Sequence, residues 1–100
     1  MVIVAGSIFV DPAHVAHFQE AVVPLAQRTR KEDGCLHYTL AVDNAESGEI
    51  VVLERWRDEP ALRAHLATDH VKAFLDKVGG FVKSMDARLY DVSNERDVVV

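Results

Sequence analysis

Five histidines and one cysteine are the first side chains of this sequence to consider for acid–base or nucleophilic chemistry. His65 lies on the apolar stripe of a predicted helix with Leu62 and Leu66, and His70 follows five residues later. Histidine exchanges protons near neutral pH, so both residues suit an acid–base role. A histidine on an apolar face is more often a hydrogen-bonded core residue, and that alternative stays open.

Glu54 and Trp56 form a second candidate pair. They are two residues apart on a predicted strand, so their side chains point to the same side of the sheet. The functional interpretation is a pocket wall, in which the indole stacks on a flat substrate while Glu54 orients a donor or takes a proton. The structural interpretation pairs Glu54 with Arg88 at the sheet edge and buries Trp56 in the core.

The remaining candidates are weaker. Tyr38 is more typical of a packed strand residue with a satisfied hydroxyl, and His37 lies on the less apolar face of the same strand. His14 and His17 share one flank of a predicted helix, but the sequence places no third ligand beside them, so no metal site is predicted. The lone Cys35 excludes an internal disulfide and a thiolate zinc site.

Length and charge exclude several classes of protein. One hundred residues predict a single domain over 1–100, with a core at about 2–92 and a tail at 93–100. The net charge of -5 and the absence of a basic run argue against nucleic-acid binding. The apolar runs are shorter than the roughly 20 residues that span a bilayer, so no membrane segment is predicted. The first residues do not read as a signal peptide, and a reduced cytoplasmic setting is expected.

The apolar pattern predicts the element order β-α-β-β-α-β. It assigns strands to 2–10, 35–42, 49–57 and 85–92, with one helix after Asp11-Pro12 and another after Asp58 that starts afresh at Thr68. Pro24 should kink or divide the first helix. This order is typical of the α+β, ferredoxin-like fold, a four-stranded antiparallel sheet with helices on one face.

The first strand is apolar on both faces, as is the start of the third. The helices can cover only one face of the sheet, so the other needs a further layer. A second copy of the chain is the simplest source, and the sequence therefore predicts a homodimer packed sheet to sheet.

Three segments resemble motifs of the antibiotic biosynthesis monooxygenase (ABM) domain family. The segment 32–38, EDGCLHY, resembles its E-x-G-C-x-x-Y motif, and 54–58, ERWRD, resembles its E-x-W-x-D strand end. The segment 61–66, ALRAHL, with His70 and Phe74, resembles its A-L-x-x-H helix and the following H…F. The resemblance covers residues from Val4 to about Val92.

This resemblance implies a ferredoxin-like protomer that pairs into a dimeric α/β barrel. It also implies a monooxygenase that oxidises a small quinol or polycyclic phenol, a small aromatic partner, with molecular oxygen and with no metal, flavin or other cofactor. The residue types then suggest roles: catalytic residues His65, Trp56 and Glu54, and substrate-binding residues Tyr38, His37, His70 and Phe74.

Two other functions remain open on the sequence. Relatives in the same superfamily isomerise small phosphorylated hydroxyketones, and Arg28, Arg30 or Lys31 could bind such a phosphate. A non-catalytic module that only binds a small molecule is the third possibility, because the fold alone does not determine the function.

Overall fold

The computed structural model describes every residue from Met1 to Val100. Four strands form one antiparallel sheet in the order β2-β3-β1-β4, and three α-helices connect them. The elements are β1 (Val2–Val10), α1 (Val15–Thr29), β2 (Cys35–Asn44), β3 (Glu49–Trp56), α2 (Glu59–Leu66), α3 (Asp69–Val78) and β4 (Val82–Asp91), with single 3-10 turns at Pro12–His14 and Gly79–Phe81. The ferredoxin-like β-α-β-β-α-β prediction is confirmed. No helix is long and apolar enough to cross a membrane.

The predicted helix starts are confirmed by their caps. The Asp11 carboxylate accepts from the backbone N–H of Ala13 at 3.0 Å and caps the 3-10 turn that leads into α1. Asp58 accepts from the N–H of Ala61 at 2.9 Å and caps α2. The Thr68 hydroxyl accepts from the N–H of Val71 at 3.4 Å. Each cap satisfies a donor that the first helical turn leaves free. The cap at Thr68 separates α2 from α3.

Pro24 does not divide the first helix, so that part of the prediction is wrong. α1 runs without a break from Val15 to Thr29 with Pro24 inside it. Proline removes the hydrogen bond that its N–H would give to the carbonyl of Glu20. Both residues are exposed, so water can solvate that carbonyl and the helix continues.

The core lies between the helices and one face of the sheet. A stripe of α1 is buried in full (Val15, Phe18, Val22, Leu25 and Thr29). Leu66, which the sequence places on the apolar stripe with His65, is instead 54% exposed, and Leu75 of α3 is 57% exposed. The break after α2 explains why Leu66 is exposed, because the buried residues of α2 end at His65 and those of α3 begin at Val71.

The helices do not cover the whole sheet. α1 lies against β2 and α2 against β3, which leaves the edge strand β4 open on the helix side. The register pairs each helix-side residue of β1 with a helix-side residue of β4. On β4 this side exposes 68% of Met85 and 39% of Leu89. We call this surface the edge trough; its six residues are Val4, Gly6, Ile8, Met85, Ala87 and Leu89.

Gly6 makes the middle of the edge trough flat. Its φ is +153°, and a Cβ there would lie 2.1 Å from the carbonyl oxygen of Asp86 on the neighbouring strand. No side chain fits that space, because the obstructing atom belongs to the backbone. The facing residue across the register is the small Ala87. Bulkier side chains stand on both sides of this flat centre.

The opposite face of the sheet carries no helix. Val51 and Leu53 of β3 are 37% and 38% exposed there. We call this the outer face. Beyond β4, the N–H of Val92 donates to the carbonyl of Met1 at 3.0 Å, and residues 93–100 form no helix or strand.

Candidate functional site

One carboxylate oxygen joins three segments of the chain. Oε2 of Glu32 lies 2.8 Å from Nδ1 of His65 and 2.8 Å from Nε2 of His70. Glu32 belongs to the loop between α1 and β2, His65 to the last turn of α2, and His70 to the first turn of α3. The loop is held by its own backbone bonds, from Glu32 N to the carbonyl of Thr29 at 2.9 Å and from Cys35 N to the carbonyl of Glu32 at 3.1 Å.

His65 is enclosed by aromatic rings. Its exposed fraction is 2%, its ring centroid lies 4.8 Å from that of Trp56, and Tyr38 meets it edge-on at 5.3 Å. An ionised carboxylate can only accept, so the bond to Glu32 places the hydrogen on Nδ1 of His65. The lone pair then resides on Nε2. The carboxylate thus sets both the tautomer and the orientation of this imidazole.

Glu54 and Trp56 are bonded to each other. The indole Nε1–H donates to Oε1 of Glu54 at 3.0 Å, and Trp56 is fully buried. The predicted ion pair of Glu54 with Arg88 is wrong. In the register Glu54 is level with Val4, whereas Arg88 is level with Ala5, whose side chain points to the opposite face. The structural interpretation of Trp56 as a core residue agrees with its burial.

Burial shifts the acid–base behaviour of this cluster. It raises the pKa of Glu54, and the negative charge of Glu32 raises it further, against the lowering effects of the Trp56 bond and of His65. Burial also raises the pKa of Tyr38 far above that of a free phenol, with Glu54 and Glu32 adding to the effect. Tyr38 therefore stays neutral and serves as a wall of the cluster, not as a base.

The structure brings together His65, Trp56, Glu54, Tyr38 and His70 of the predicted site residues. It leaves out the other two. His37 lies on the outer face, where its Nε2 is 2.9 Å from Oγ1 of Thr39. Phe74 packs edge-on against Phe18 at 5.5 Å, away from the His65 ring stack. It also lines a surface groove of about 310 Å³ between α1 and α3, to which His70 contributes.

Glu32 is the residue that the sequence analysis missed as a functional candidate. In the sequence, the only feature that pointed to Glu32 was its place in the E-x-G-C segment. Periodicity could not help, because it does not relate a loop residue to helices more than thirty positions away. Two of the alternative phosphate ligands, Arg28 and Arg30, face different surroundings. Arg30 donates from Nε and Nη2 to the carbonyl oxygen of Tyr38 at 3.2 and 2.9 Å, whereas Arg28 lines the groove between α1 and α3.

Comparison with known proteins places the chain in a family. The family model described as antibiotic biosynthesis monooxygenase, ABM, matches residues 1–77. The chain belongs to the ABM family. The matched residues include Glu32, His65 and His70 and end within α3, the last helix.

Similar proteins carry names of the same kind. "Putative monooxygenase YcnE" of Bacillus subtilis is 32% identical over 77 residues, which cover 77% of this chain and 81% of that protein. "Probable quinol monooxygenase YgiN" of Escherichia coli K12 is 33% identical over 85 residues, covering 73% and 82%. The crystal structure of "a putative antibiotic biosynthesis monooxygenase" from Deinococcus radiodurans matches all of both chains with a TM-score of 0.87 and 30% identity.

The raised pKa of Glu54 predicts a pH-dependent effect of the Glu54→Gln variant on stability. Glu54 binds its proton more tightly in the folded chain than in the unfolded chain, because its pKa is higher in the folded state. Its contribution to stability is therefore complete at pH values below the pKa of the unfolded chain. That contribution is lost as pH rises through the pKa of the folded chain. Glutamine keeps an acceptor for Trp56 and carries no charge. We expect the variant to melt roughly 5 °C above wild type at pH 8 and level with it near pH 4.

Thermal melts followed by circular dichroism at both pH values test this. Glu46→Gln, in the exposed turn between β2 and β3, is the matched control and should not change the melting temperature. A Glu54→Gln variant less stable than wild type at pH 8 would show that ionised Glu54 stabilises the fold.

Proposed function

We propose that this ABM-family chain is a cofactor-independent monooxygenase that oxidises a small quinol or polycyclic phenol. For a quinol, one oxygen atom of O₂ enters the ring and gives a hydroxyquinone, and the other leaves as water with the two hydrogens that the substrate loses. The observation that carries the proposal is the imidazole of His65, oriented by Glu32 and enclosed by Trp56 and Tyr38.

The first step is removal of the phenolic proton by His65. With Nδ1–H donated to Glu32, Nε2 of His65 is the acceptor, as in other carboxylate–histidine pairs. The imidazolium that forms is stabilised by the carboxylate of Glu32 and by the nearby negative charge of Glu54. Glu32 is therefore a positioning residue, since it acts through His65.

The second step is transfer of an electron from the phenolate to O₂. An electron-rich phenolate can reduce O₂ without a metal or flavin, so the protein has to supply a dry site and a stabilised anion. The rings of Trp56 and Tyr38 exclude water around His65. The radical and superoxide recombine at a ring carbon, and the imidazolium of His65 returns its proton to the peroxide. Loss of water from the resulting hydroperoxide gives the quinone.

We place the substrate on the edge trough. Its flat centre at Gly6 and Ala87 suits a planar ring, and its walls of Met85 and Leu89 are apolar. Glu54 is next to Val4 in the register and is the acidic residue at the inner end of the trough. In this arrangement Glu54 orients a substrate hydroxyl towards His65.

We also propose that the chain works as a homodimer joined through the outer faces of its sheets. Val51 and Leu53 lie on this face, and the partly buried Ile3 and Ala5 of β1 adjoin them. An apolar sheet face of this kind is covered in most stable proteins, and a second copy supplies a self-complementary surface.

Replacing His65 should abolish oxidation. Oxygen uptake with a panel of hydroquinones and polycyclic phenols, above the autoxidation background, is the measurement. We expect His65→Gln to lose at least about 100-fold in kcat/KM, the usual contribution of a general base. His17→Gln, an exposed histidine of α1, is the matched control and should retain activity. Equal activity of the two variants would remove His65 from the mechanism.

Filling the edge trough should weaken substrate binding. We expect Ala87→Leu to raise KM at least about tenfold, because the added side chain occupies the flat centre of the trough. Ala73→Leu fills the groove between α1 and α3 instead and should leave KM unchanged. The reverse result, with only Ala73→Leu affecting KM, would move the substrate to that groove.

Placing a charge on the outer face should separate the dimer. We expect wild type to have about twice the 11.1 kDa mass of one chain in light scattering at micromolar concentration, and Leu53→Lys to be monomeric. Leu75→Lys, at an exposed leucine of α3 on the helix side of the sheet, is the control and should leave the mass unchanged. A monomeric wild type would contradict the proposal.

A further inference from the structure

The Glu32 cluster has the donor set of a metal site. Oε2 of Glu32, Nδ1 of His65 and Nε2 of His70 all lie within 4.8 Å of one another. We propose that these three residues bind a divalent first-row transition-metal ion. The proposal rests on this geometry and does not depend on the proposed oxidation.

The distances favour one coordination geometry. For bonds of about 2.1 Å, a carboxylate oxygen and an imidazole nitrogen 2.8 Å apart subtend an angle of about 85° at the ion. That angle is close to the 90° of one face of an octahedron, whereas tetrahedral zinc would spread the same atoms to about 3.4 Å. The nitrogens of His65 and His70 lie within 4.8 Å of each other, so small side-chain adjustments bring both to one ion beside Glu32. Two histidines and one carboxylate suit six-coordinate ions such as Co²⁺ or Fe²⁺.

The charges around the cluster favour a cation. Glu32 is paired with His65 and His70 and with no Lys or Arg, although the carboxylate of Glu54 is close enough to interact with it. The nearest arginines are engaged elsewhere, Arg30 with a backbone carbonyl and Arg57 with Asp33 at 3.0 Å. A divalent ion would compensate the negative charge of the two carboxylates.

An ion can reach the cluster from the surface. The side chains of His70 and Glu32 are 18% and 16% exposed, whereas that of His65 is 2% exposed. His70 lines the groove between α1 and α3, which gives the ion a path and leaves room for water in its open positions. His70 stands directly after the first residue of α3, where small movements of the helix start can adjust its nitrogen to the ion.

Metal binding would change what His65 can do. A bound ion takes the lone pair at Nδ1, so the ring hydrogen moves to Nε2. Nε2 then no longer accepts a proton from a substrate. Metal-bound and base forms of His65 are therefore mutually exclusive, and added metal should inhibit a reaction that uses His65 as its base.

Titration with Co²⁺ tests the site. His14 and His17 are exposed with their Nδ1 atoms 3.3 Å apart, so the assay uses a His14→Gln/His17→Gln background that lacks this second pair. Calorimetry and the visible absorption of Co²⁺ should give one ion per chain. We expect His70→Gln to weaken binding at least about 100-fold, since even outer-shell changes cost 10–100-fold. Asp69→Asn, its neighbour in the same groove, should bind normally.

The outcomes separate this proposal from the function proposed above. Absence of stoichiometric Co²⁺ binding, or equal binding by His70→Gln, overturns the metal site and leaves oxygen uptake to be judged by itself. Binding that inhibits oxygen uptake supports both proposals. Binding that increases uptake supports the site and contradicts cofactor-independent oxidation.

Discussion

The arrangement of the helices at this end of the molecule depends on one carboxylate that accepts two imidazole hydrogen bonds. Glu32 joins the loop after α1 to the end of α2 and the start of α3, at 2.8 Å in each case. Hydrogen bonds to an ionised acceptor are stronger than neutral ones, and more so when they are shielded from water. The bond to His65 also fixes this ring between Trp56 and Tyr38. The hydrogen bond from His65 to Glu32 therefore helps to determine the position, the tautomer and the burial of the His65 ring.

The order of elements could be predicted from the sequence because it depends on local signals. Caps at Asp11, Asp58 and Thr68 are satisfied within three residues, and strand alternation assigns faces without tertiary information. The same alternation correctly separated Glu54 and Trp56 from the opposite face. Strand alternation did not predict the hydrogen-bond partner of Glu54 correctly. Whether Glu54 can meet Arg88 depends on the register of β3 and β4 against β1, and local patterns do not determine that register.

The candidate site was only partly predictable for a similar reason. His65 and Trp56 stood out by residue type, but their meeting depends on how α2 packs on β3. Glu32 lies in a loop, where no periodicity indicates a direction. His37 was a candidate because histidine exchanges protons near neutral pH, but it lies on the outer face, opposite to the Glu32 cluster. Residue chemistry therefore identified candidates, and tertiary packing decided which of them act together.

The proposed placement of the substrate on the edge trough has a consequence for how substrate preference could change. Its floor is formed by backbone contact at Gly6, which tolerates no side chain, whereas its walls are the exposed Met85 and Leu89 of an edge strand. Substitutions at exposed positions usually change stability little. In the proposed enzyme, the wall residues could therefore be replaced without disturbing the floor or the buried cluster. Such a division would let the same core accept other ring systems.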